Sequence, residues 1–486
     1  MTEDYVDVAV IGAGVMGCAV ARELSRYRLD VLVLERAHDM GEGSSKANSG
    51  LVQAGFHARG GSLKGRSCVA GNALFPALTD ELGVPFINCG GLMVAFHDGG
   101  IEKLREKAAR AVESGAAPMP IVGGDEARAL EPRLSPRVVA AMVAPTTGIV
   151  SPFDLVFAMA QNAFANGVGF RFNAGVERVE ACPGGGYTLH LAGGGRVVAR
   201  YVANMAGDGA MPLDSQVHPG DYVIEPRIGE FLVLDKQDPA DAVTHVIYQA
   251  EENDEGGTLL APTVEGNLVV GPTSRNVRDF LDRSTTQAGL DHVWRVARKI
   301  IPDLDKGTVI ANFAGVRTNI TNVGKDKKDF VVRASAPGFV SALGIKNPGM
   351  TASPALARMA VGLLAGEGLA LEADSAFNPY RKAYVPFLER SKAEQDALIR
   401  KDPRYGNVVC SCEGVTEGDV CAVMAGDLPP TTLDGLKHRL RIGMGRCQGS
   451  FCHPRTVPVL ARALGVPETA VAKGESGGRL VMRAVK

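Results

Sequence analysis

A mixed α/β and α+β architecture in two or three domains is expected from three features of this sequence. The apolar run Val8-Ala9-Val10-Ile11 enters Gly12-Ala13-Gly14-Val15-Met16-Gly17 near the N-terminus. Segments of alternating apolar residues occupy the middle, and Cys410, Cys412, Cys447 and Cys452 gather close to the C-terminus. At 486 residues the chain is too long for one compact core.

Residues 5–11 read as a strand, 15–27 as a helix and 30–35 as a second strand, a right-handed crossover of ordinary size. The turn between the first two is G-x-G-x-x-G. Gly12 and Gly14 there let the backbone approach a pyrophosphate at the helix N-terminus, and Glu35, ending the second strand, accepts from ribose hydroxyls. Together they predict a Rossmann-like nucleotide-binding unit. Residues 40–71 are rich in Gly, Ser and Asn with little periodicity, and are expected to form an ordered active-site loop. Strand-turn-helix grammar returns at 201–209 and at 338–344, where Asn347-Pro348-Gly349-Met350-Thr351 leads into a helix over 355–364. NAD and FAD both suit such a unit. The loop at Ser45-Lys46-Ala47-Asn48-Ser49-Gly50 and the late turn from Gly344 to Thr351 favour FAD, because a flavin reaches across the protein to distant segments.

Alternation at 227–234 and 267–270 suits a sheet that is wet on one face, assigned to a substrate domain interleaved with the nucleotide domain. The nucleotide segments are placed at about 1–80, 145–215 and 330–370, and the antiparallel-sheet substrate domain at about 81–144 and 216–329. Residues 371–404, charged and carrying Pro and Arg, read as a helical linker. Residues 405–486 read as a small helical module, with helices opened by Thr416 and Thr432 and a last one entered through Pro454.

In that module C-x-C (Cys410, Cys412) and C-x4-C (Cys447, Cys452) are two close thiolate pairs about thirty residues apart. A rhombic [2Fe-2S] cluster asks for such pairs. Zinc is the rival, although its pairs are usually C-x2-4-C and C-x-C is cramped around a tetrahedral ion. Gly443, Gly445 and Gly449 are expected to aim backbone N–H groups at the sulfurs, and Arg446 to offset their charge. Cys18, Cys68, Cys89, Cys182 and Cys421 read as thiols without a redox role. A flavin beside a one-electron centre implies an enzyme that takes electrons in pairs and passes them on singly.

With 52 basic and 54 acidic residues and a net charge of −2, the chain offers no electrostatic footprint for nucleic acid. No run approaches the roughly 18 apolar residues of a membrane span, and the acidic start (Glu3, Asp4) is unlike a signal peptide. A cytoplasmic protein is expected, able to dock peripherally at the inner face of the membrane. Nine cysteines are too sparse for a disulfide scaffold in a chain of this size.

The words Ser44-Ser45-Lys46-Ala47-Asn48-Ser49-Gly50, Gly61-Ser62-Leu63-Lys64, Thr147-Gly148-Ile149-Val150, Gly271-Pro272-Thr273, Phe313-Ala314-Gly315-Val316-Arg317 and Lys346-Asn347-Pro348-Gly349-Met350-Thr351 stand in the first 370 residues or so. In them the chain resembles the D-amino-acid-oxidase-like superfamily of flavoproteins. The nearest branch holds type II glycerol-3-phosphate oxidases, anaerobic glycerol-3-phosphate dehydrogenases and L-2-hydroxyglutarate oxidases. The tail, with Val409-Cys410-Ser411-Cys412-Glu413 and Gly443-Met444-Gly445-Arg446-Cys447-Gln448-Gly449-Ser450-Phe451-Cys452, resembles the bacterioferritin-associated-ferredoxin-like [2Fe-2S] domain. The resemblance implies that Gly12, Gly14, Gly17, Glu35, Arg36, Ser45, Ala47, Asn48, Ser49 and Val176 touch FAD. It places Gly207 near the pyrophosphate and Gly315, Gly344, Gly349, Met350 and Thr351 near the flavin end. Arg317 is the candidate for gripping a substrate carboxylate or phosphate, since its fork matches either.

The chain departs from that branch at Gln53, where the alcohol-oxidising relatives carry a His suited to act as base. An amide cannot take a proton near neutral pH, and His57 in the same loop is the candidate substitute. The acidic stretch Glu251-Glu252-Asn253-Asp254-Glu255, where glycerol-phosphate oxidases place a Lys, also departs from the pattern. The expected activity is oxidation of a small polar metabolite, the secondary alcohol of glycerol 3-phosphate or of a 2-hydroxy acid. Amino or imino acid oxidation is an alternative, and a non-catalytic electron-transfer subunit is another. The cluster implies an acceptor other than oxygen: a partner flavoprotein, a membrane-associated partner subunit or a quinone.

Overall fold

The computed structural model describes residues 4–220, 222–250, 257–322, 329–475 and 478–483. Strand Asp4–Ile11 is central to an eight-stranded sheet, parallel to Arg196–Asn204 on one side and to Val31–Leu34 on the other. Val8, Val10 and Val33 are fully buried, as expected of strands covered on both faces. Val8 and Val10 meet the helices Val15–Leu24, Leu63–Leu82, Pro152–Ala165 and Gly349–Gly366 on one face, while Ala9 and Ile11 pack beneath Val179, Tyr187 and Leu189 on the other.

The helix Leu63–Leu82 corrects the expectation of a loop running to residue 71. Ser62 caps it by accepting from the Gly65 N–H, and its glycines reflect close packing rather than looseness. A Cβ on Gly71 would lie 1.9 Å from the Thr351 carbonyl oxygen, so this helix presses directly on Gly349–Gly366.

The second sheet has nine strands. Its long members, Tyr222–Leu234 and Val309–Asn322, pair antiparallel from Tyr222↔Asn322 to Leu234↔Val309, and among the described residues only Val246–Gln249 with Gly91–Ala95 is parallel. The wet face expected at 227–234 and 267–270 is not found there: every residue of those stretches is buried or partly buried. Leu92, Val94, Ile247 and Leu260 pack toward helix Gln287–Ile300, whereas Met93, Ala95, Tyr248 and Ala261 pack toward the side of Asp98–Glu113. Alternation along these strands divides residues between two cores.

Within 371–404 only Lys392–Lys401 is α-helical, preceded by a 3-10 turn at Phe387–Glu389. The stretch before them lies along the first domain, where Arg381 N–H donates to Glu81 O and Asn162 Nδ2 to Asn378 O. Pro379 and Pro386 explain the departure from helix, since neither can donate an N–H. The tail has its own core around Val420, Leu436, Leu460 and Val457. Its helices Glu417–Met424, Leu433–Leu440 and His453–Leu464 begin at Thr416, Thr432 and Cys452. Among the described residues, no helix is long and apolar enough to cross a membrane.

Candidate active site and cluster centre

The turn after the first strand is shaped for close approach. Gly12 has φ of 96°, which side chains disfavour, and a Cβ there would come 2.8 Å from Met205 O. At Gly17 a Cβ would lie 1.8 Å from Gly12 O, so the first helical turn rests on the turn before it. Glu35 braces the motif: Oε2 accepts from Ala13 N–H at 2.6 Å and Oε1 from Ala37 N–H at 2.8 Å, while burial pushes its carboxyl up. Ser45 Oγ accepts from Val15 N–H at 2.9 Å, fastening the following loop to the helix N-terminus. A Cβ on Gly315 would meet Ala47 O at 2.3 Å, so the substrate sheet approaches that loop backbone to backbone.

From this turn an elongated cleft runs to the N-terminus of helix Gly349–Gly366, with Gly12, Gly14, Glu35 and Arg36 at one end and Gly349, Met350, His57 and Arg317 at the other. Ser45, Ala47, Asn48, Ser49, Gly207 and Gly315 line it between. Arg36 Nη2 donates to both carboxylate oxygens of Asp208 at 2.9 Å. Gly17, Val176, Gly344, Thr351 and Gln53 do not line it. Gly17 and Thr351 support residues that do, and Val176 pairs with Leu191 at the start of strand Val176–Ala181. Sequence reasoning passed over Glu42, Phe231, Arg283 and Thr318, which also line the cleft. Phe231, Arg283 and Thr318 come from the substrate domain, and no local motif marks any of the four. The glycines that line the cleft and the Glu35 carboxylate beside its G-x-G-x-x-G turn fit a dinucleotide.

At the far end Arg317 Nη2 donates to Thr273 O at 2.7 Å and forms no ion pair among the described residues. Burial, with Arg227 on the neighbouring strand, pushes its guanidinium down to about 10. Gly229 leaves the room it fills, since a Cβ there would be 2.5 Å from Arg317 Nη2. Lys64 lies in the same region; burial above all pushes its amine down to about 8, with Arg317 and Lys107 adding and Cys68 and Asp329 opposing. His57 packs against Phe56 at 4.3 Å and Tyr248 at 5.1 Å, and its buried Nε2 has no hydrogen-bond partner among the described residues. Burial, then Lys107 and Lys64, push it down to about 3, so the ring is neutral at physiological pH. The acidic stretch 251–255 lies outside the described residues.

In the tail Cys410 ends strand Val408–Cys410, Cys412 is exposed, and Cys452 caps the last helix. Backbone N–H groups, Phe451's foremost, hold the Cys447 thiol below its ordinary value. Burial, then the neighbouring Cys410 and Cys447, push Cys452 up to about 12, a crowding of thiolates that bound iron would relieve. Gly445 admits Cys412, whose Cβ would be 2.3 Å from an added one, and Gly449 admits the His453 ring. Arg446 pairs with Asp235 of the substrate domain, with Cys412 nearby. Among the described residues, no three His, Cys, Asp or Glu side chains converge as one ion would need. The choice between zinc and iron therefore rests on kinship.

The G-x-G-x-x-G turn at one side of the cleft and a partly buried guanidinium without an ion-pair partner among the described residues are the arrangement of a dinucleotide-dependent enzyme acting on an anion, and kinship gives the class as flavin-dependent oxidoreductase. It belongs to the FAD dependent oxidoreductase family, which it matches over residues 7–363, and residues 408–462 match the BFD-like [2Fe-2S] binding domain. FAD and a [2Fe-2S] cluster are its cofactors. The chain is 36% identical to the glycerol 3-phosphate dehydrogenase of Caloramator mitchellensis, over 99% of each chain. It is 25% identical to one subunit of the anaerobic glycerol-3-phosphate dehydrogenase of Escherichia coli (strain K12), over 94% of this chain and 88% of that one. Its fold superposes on the L-alpha-glycerophosphate oxidase of Mycoplasma pneumoniae with FAD bound, at a TM-score of 0.72 and 25% identity, over 79% of this chain and 100% of that one.

Proposed function

We propose that the enzyme oxidises the secondary alcohol of glycerol 3-phosphate and delivers the electrons, through its cluster, to a partner protein or quinone rather than to oxygen. The observation that carries this reading is Arg317, a partly buried cation in the cleft that forms no ion pair among the described residues. A partly buried charge without a counter-ion is costly, so the site favours an anion. Lys64 supplies a second cation close by, which suits a phosphate dianion better than a single carboxylate. The likeness to glycerol 3-phosphate dehydrogenases along nearly the whole chain supports the same choice.

FAD, held by the cleft residues Gly12, Gly14 and Ser45, would supply the hydride acceptor, and a cluster held by Cys410, Cys412, Cys447 and Cys452 would supply a one-electron exit. The protein's own part is to orient and to move one proton. Arg317 and Lys64 hold the anionic end of the substrate, and the orphaned Nε2 of neutral His57 accepts the proton of the alcohol oxygen. Burial above all weakens His57 as a base, and an anionic substrate offsets the smaller part that comes from the positive field of Lys107 and Lys64, so arrival of the substrate raises the basicity of the ring.

Gln53 favours a second reading, oxidation of an amino or imino acid, because a neutral amine needs no base to assist hydride loss. Anaerobic mixing with glycerol 3-phosphate, L-2-hydroxyglutarate, glycine and proline, followed by flavin absorbance, separates the two. Rapid bleaching by glycerol 3-phosphate is expected; bleaching by an amino acid alone reverses the assignment.

A further inference from the structure

We propose that the cluster domain completes the flavin-binding site, with His438 and Arg439 on helix Leu433–Leu440 acting as positioning residues that hold the 39–46 loop in its FAD-cradling shape. The contact joins residues 400 positions apart. Arg439 Nη1 lies 2.5 Å from Asp39 Oδ2 and Nη2 lies 2.9 Å from Asp39 Oδ1, a bidentate fork whose side chains are 6% and 3% exposed. The guanidinium also stacks over Phe157 at 4.3 Å and donates to Leu428 O at 2.9 Å. A Cβ on Gly435 would come 2.9 Å from Asp39 Oδ2, so the helix approaches the carboxylate as closely as a glycine allows.

One turn of the loop later the pattern repeats. The His438 ring stacks on Phe153 at 4.7 Å and 8°, and its Nδ1 is 3.5 Å from Glu42 Oε1, an ion-pair distance at an oxygen that makes no full hydrogen bond. The other Glu42 oxygen receives Lys46 Nζ at 2.5 Å. Although burial opposes ionisation, His438 and Lys46 together hold the Glu42 carboxyl at about 2.

The same loop forms the cleft wall. Glu42, Gly43, Ser44 and Ser45 line it, Gly41 N–H donates to Ala13 O at 2.9 Å, and Ser45 Oγ accepts from Val15 N–H. With the helix in place but its Arg439 and His438 side chains replaced by uncharged ones, Asp39 would be a buried carboxylate with no cation among the described residues and Glu42 would keep only Lys46. Removing one partner of such a pair is strongly unfavourable, and the loop is relieved by swinging its acids to water, which draws Ser45 away from the nucleotide turn. The inference holds whichever metabolite the enzyme oxidises.

The test uses full-length holoenzyme and two readouts independent of turnover: FAD release after dilution, followed by the fluorescence of free FAD, and the electron paramagnetic resonance signal of the dithionite-reduced cluster. Arg439→Met is expected to release FAD at least about ten-fold faster with an undiminished cluster signal, the effect of stranding a buried charge. The double variant Asp39→Asn, Arg439→Met removes both charges and should return to within about three-fold of the parent rate. FAD release at the parent rate in Arg439→Met overturns the proposal, as does a double variant that loses FAD as fast as the single. If Arg439→Met does not fold, Arg439→Lys and His438→Gln decide: faster FAD release with an intact cluster supports it, and unchanged release in both overturns it.

Discussion

Gln53 Nε2 donates to Asn347 Oδ1 at 2.6 Å, tying the loop below the cleft to the turn that opens helix Gly349–Gly366. Its backbone N–H donates to Thr351 Oγ1, whose own hydroxyl donates to Leu51 O, and the residue is 1% exposed. Gln53 is thus a strut between two segments rather than a group facing the cleft. Gln53→Ala should therefore cost less than about ten-fold in the rate of flavin reduction, whereas His57→Gln should cost roughly a hundred- to ten-thousand-fold, the usual contribution of a general base. Anaerobic stopped-flow absorbance measures both. The reverse order of effects would return the proton-accepting role to the neighbourhood of Gln53.

Arg317→Ala should raise KM for the anionic substrate by roughly ten- to a hundred-fold, the range for losing a charge-assisted contact. FAD content should stay that of the parent, because Arg317 reaches the cleft from the substrate sheet and its hydrogen bond goes to Thr273 rather than to the nucleotide turn. Steady-state kinetics beside the flavin spectrum checks this, and an unaltered KM removes Arg317 from substrate binding.

Lys64 gives that binding a pH signature. Its amine, pushed down to about 8, is charged below that value and neutral above it, so affinity for an anion is lost as pH rises through about 8. kcat/KM should fall there by about ten-fold per pH unit, following one proton. His57, pushed down to about 3, adds no acid limb near its ordinary value. Lys64→Met should abolish the alkaline limb at a uniformly lower kcat/KM, and Lys64→Arg should move it upward. A limb near pH 8 that survives Lys64→Met belongs to another group.

The parts of this architecture that were legible in the sequence are those whose signal is local. The strand Asp4–Ile11, the turn at Gly12 and the acid at Glu35 fall within one βαβ unit, and the geometry of each follows from its neighbours. Thr416 and Thr432 cap the helices they were expected to open, because capping needs only residues three positions on. Helix Leu63–Leu82 was hidden because Gly65 and Gly71 answer to Ser114 and Thr351, partners remote in sequence. The second buried face of the substrate sheet and the Asp39–Arg439 pair depend likewise on which layers meet, and periodicity within one segment carries no trace of that.

Cys447→Ser tests the division of labour between the two cofactors. Cys447 sits in the loop before helix His453–Leu464, its thiol held toward thiolate by the N–H groups of Phe451, Gly449 and Cys452. A hydroxyl in its place is a poor ligand for a cluster that takes thiolates. The variant should lose the visible absorbance and paramagnetic signal of the cluster. Substrate should still reduce the flavin at close to the parent rate, since His57 and Arg317 lie in the other domains. Transfer onward to an external one-electron acceptor should then fall by at least about ten-fold, because the flavin's electrons no longer have a one-electron centre to leave through. A normal cluster signal in this variant would remove Cys447 from the ligand set, and undiminished onward transfer without the cluster would place the exit route elsewhere.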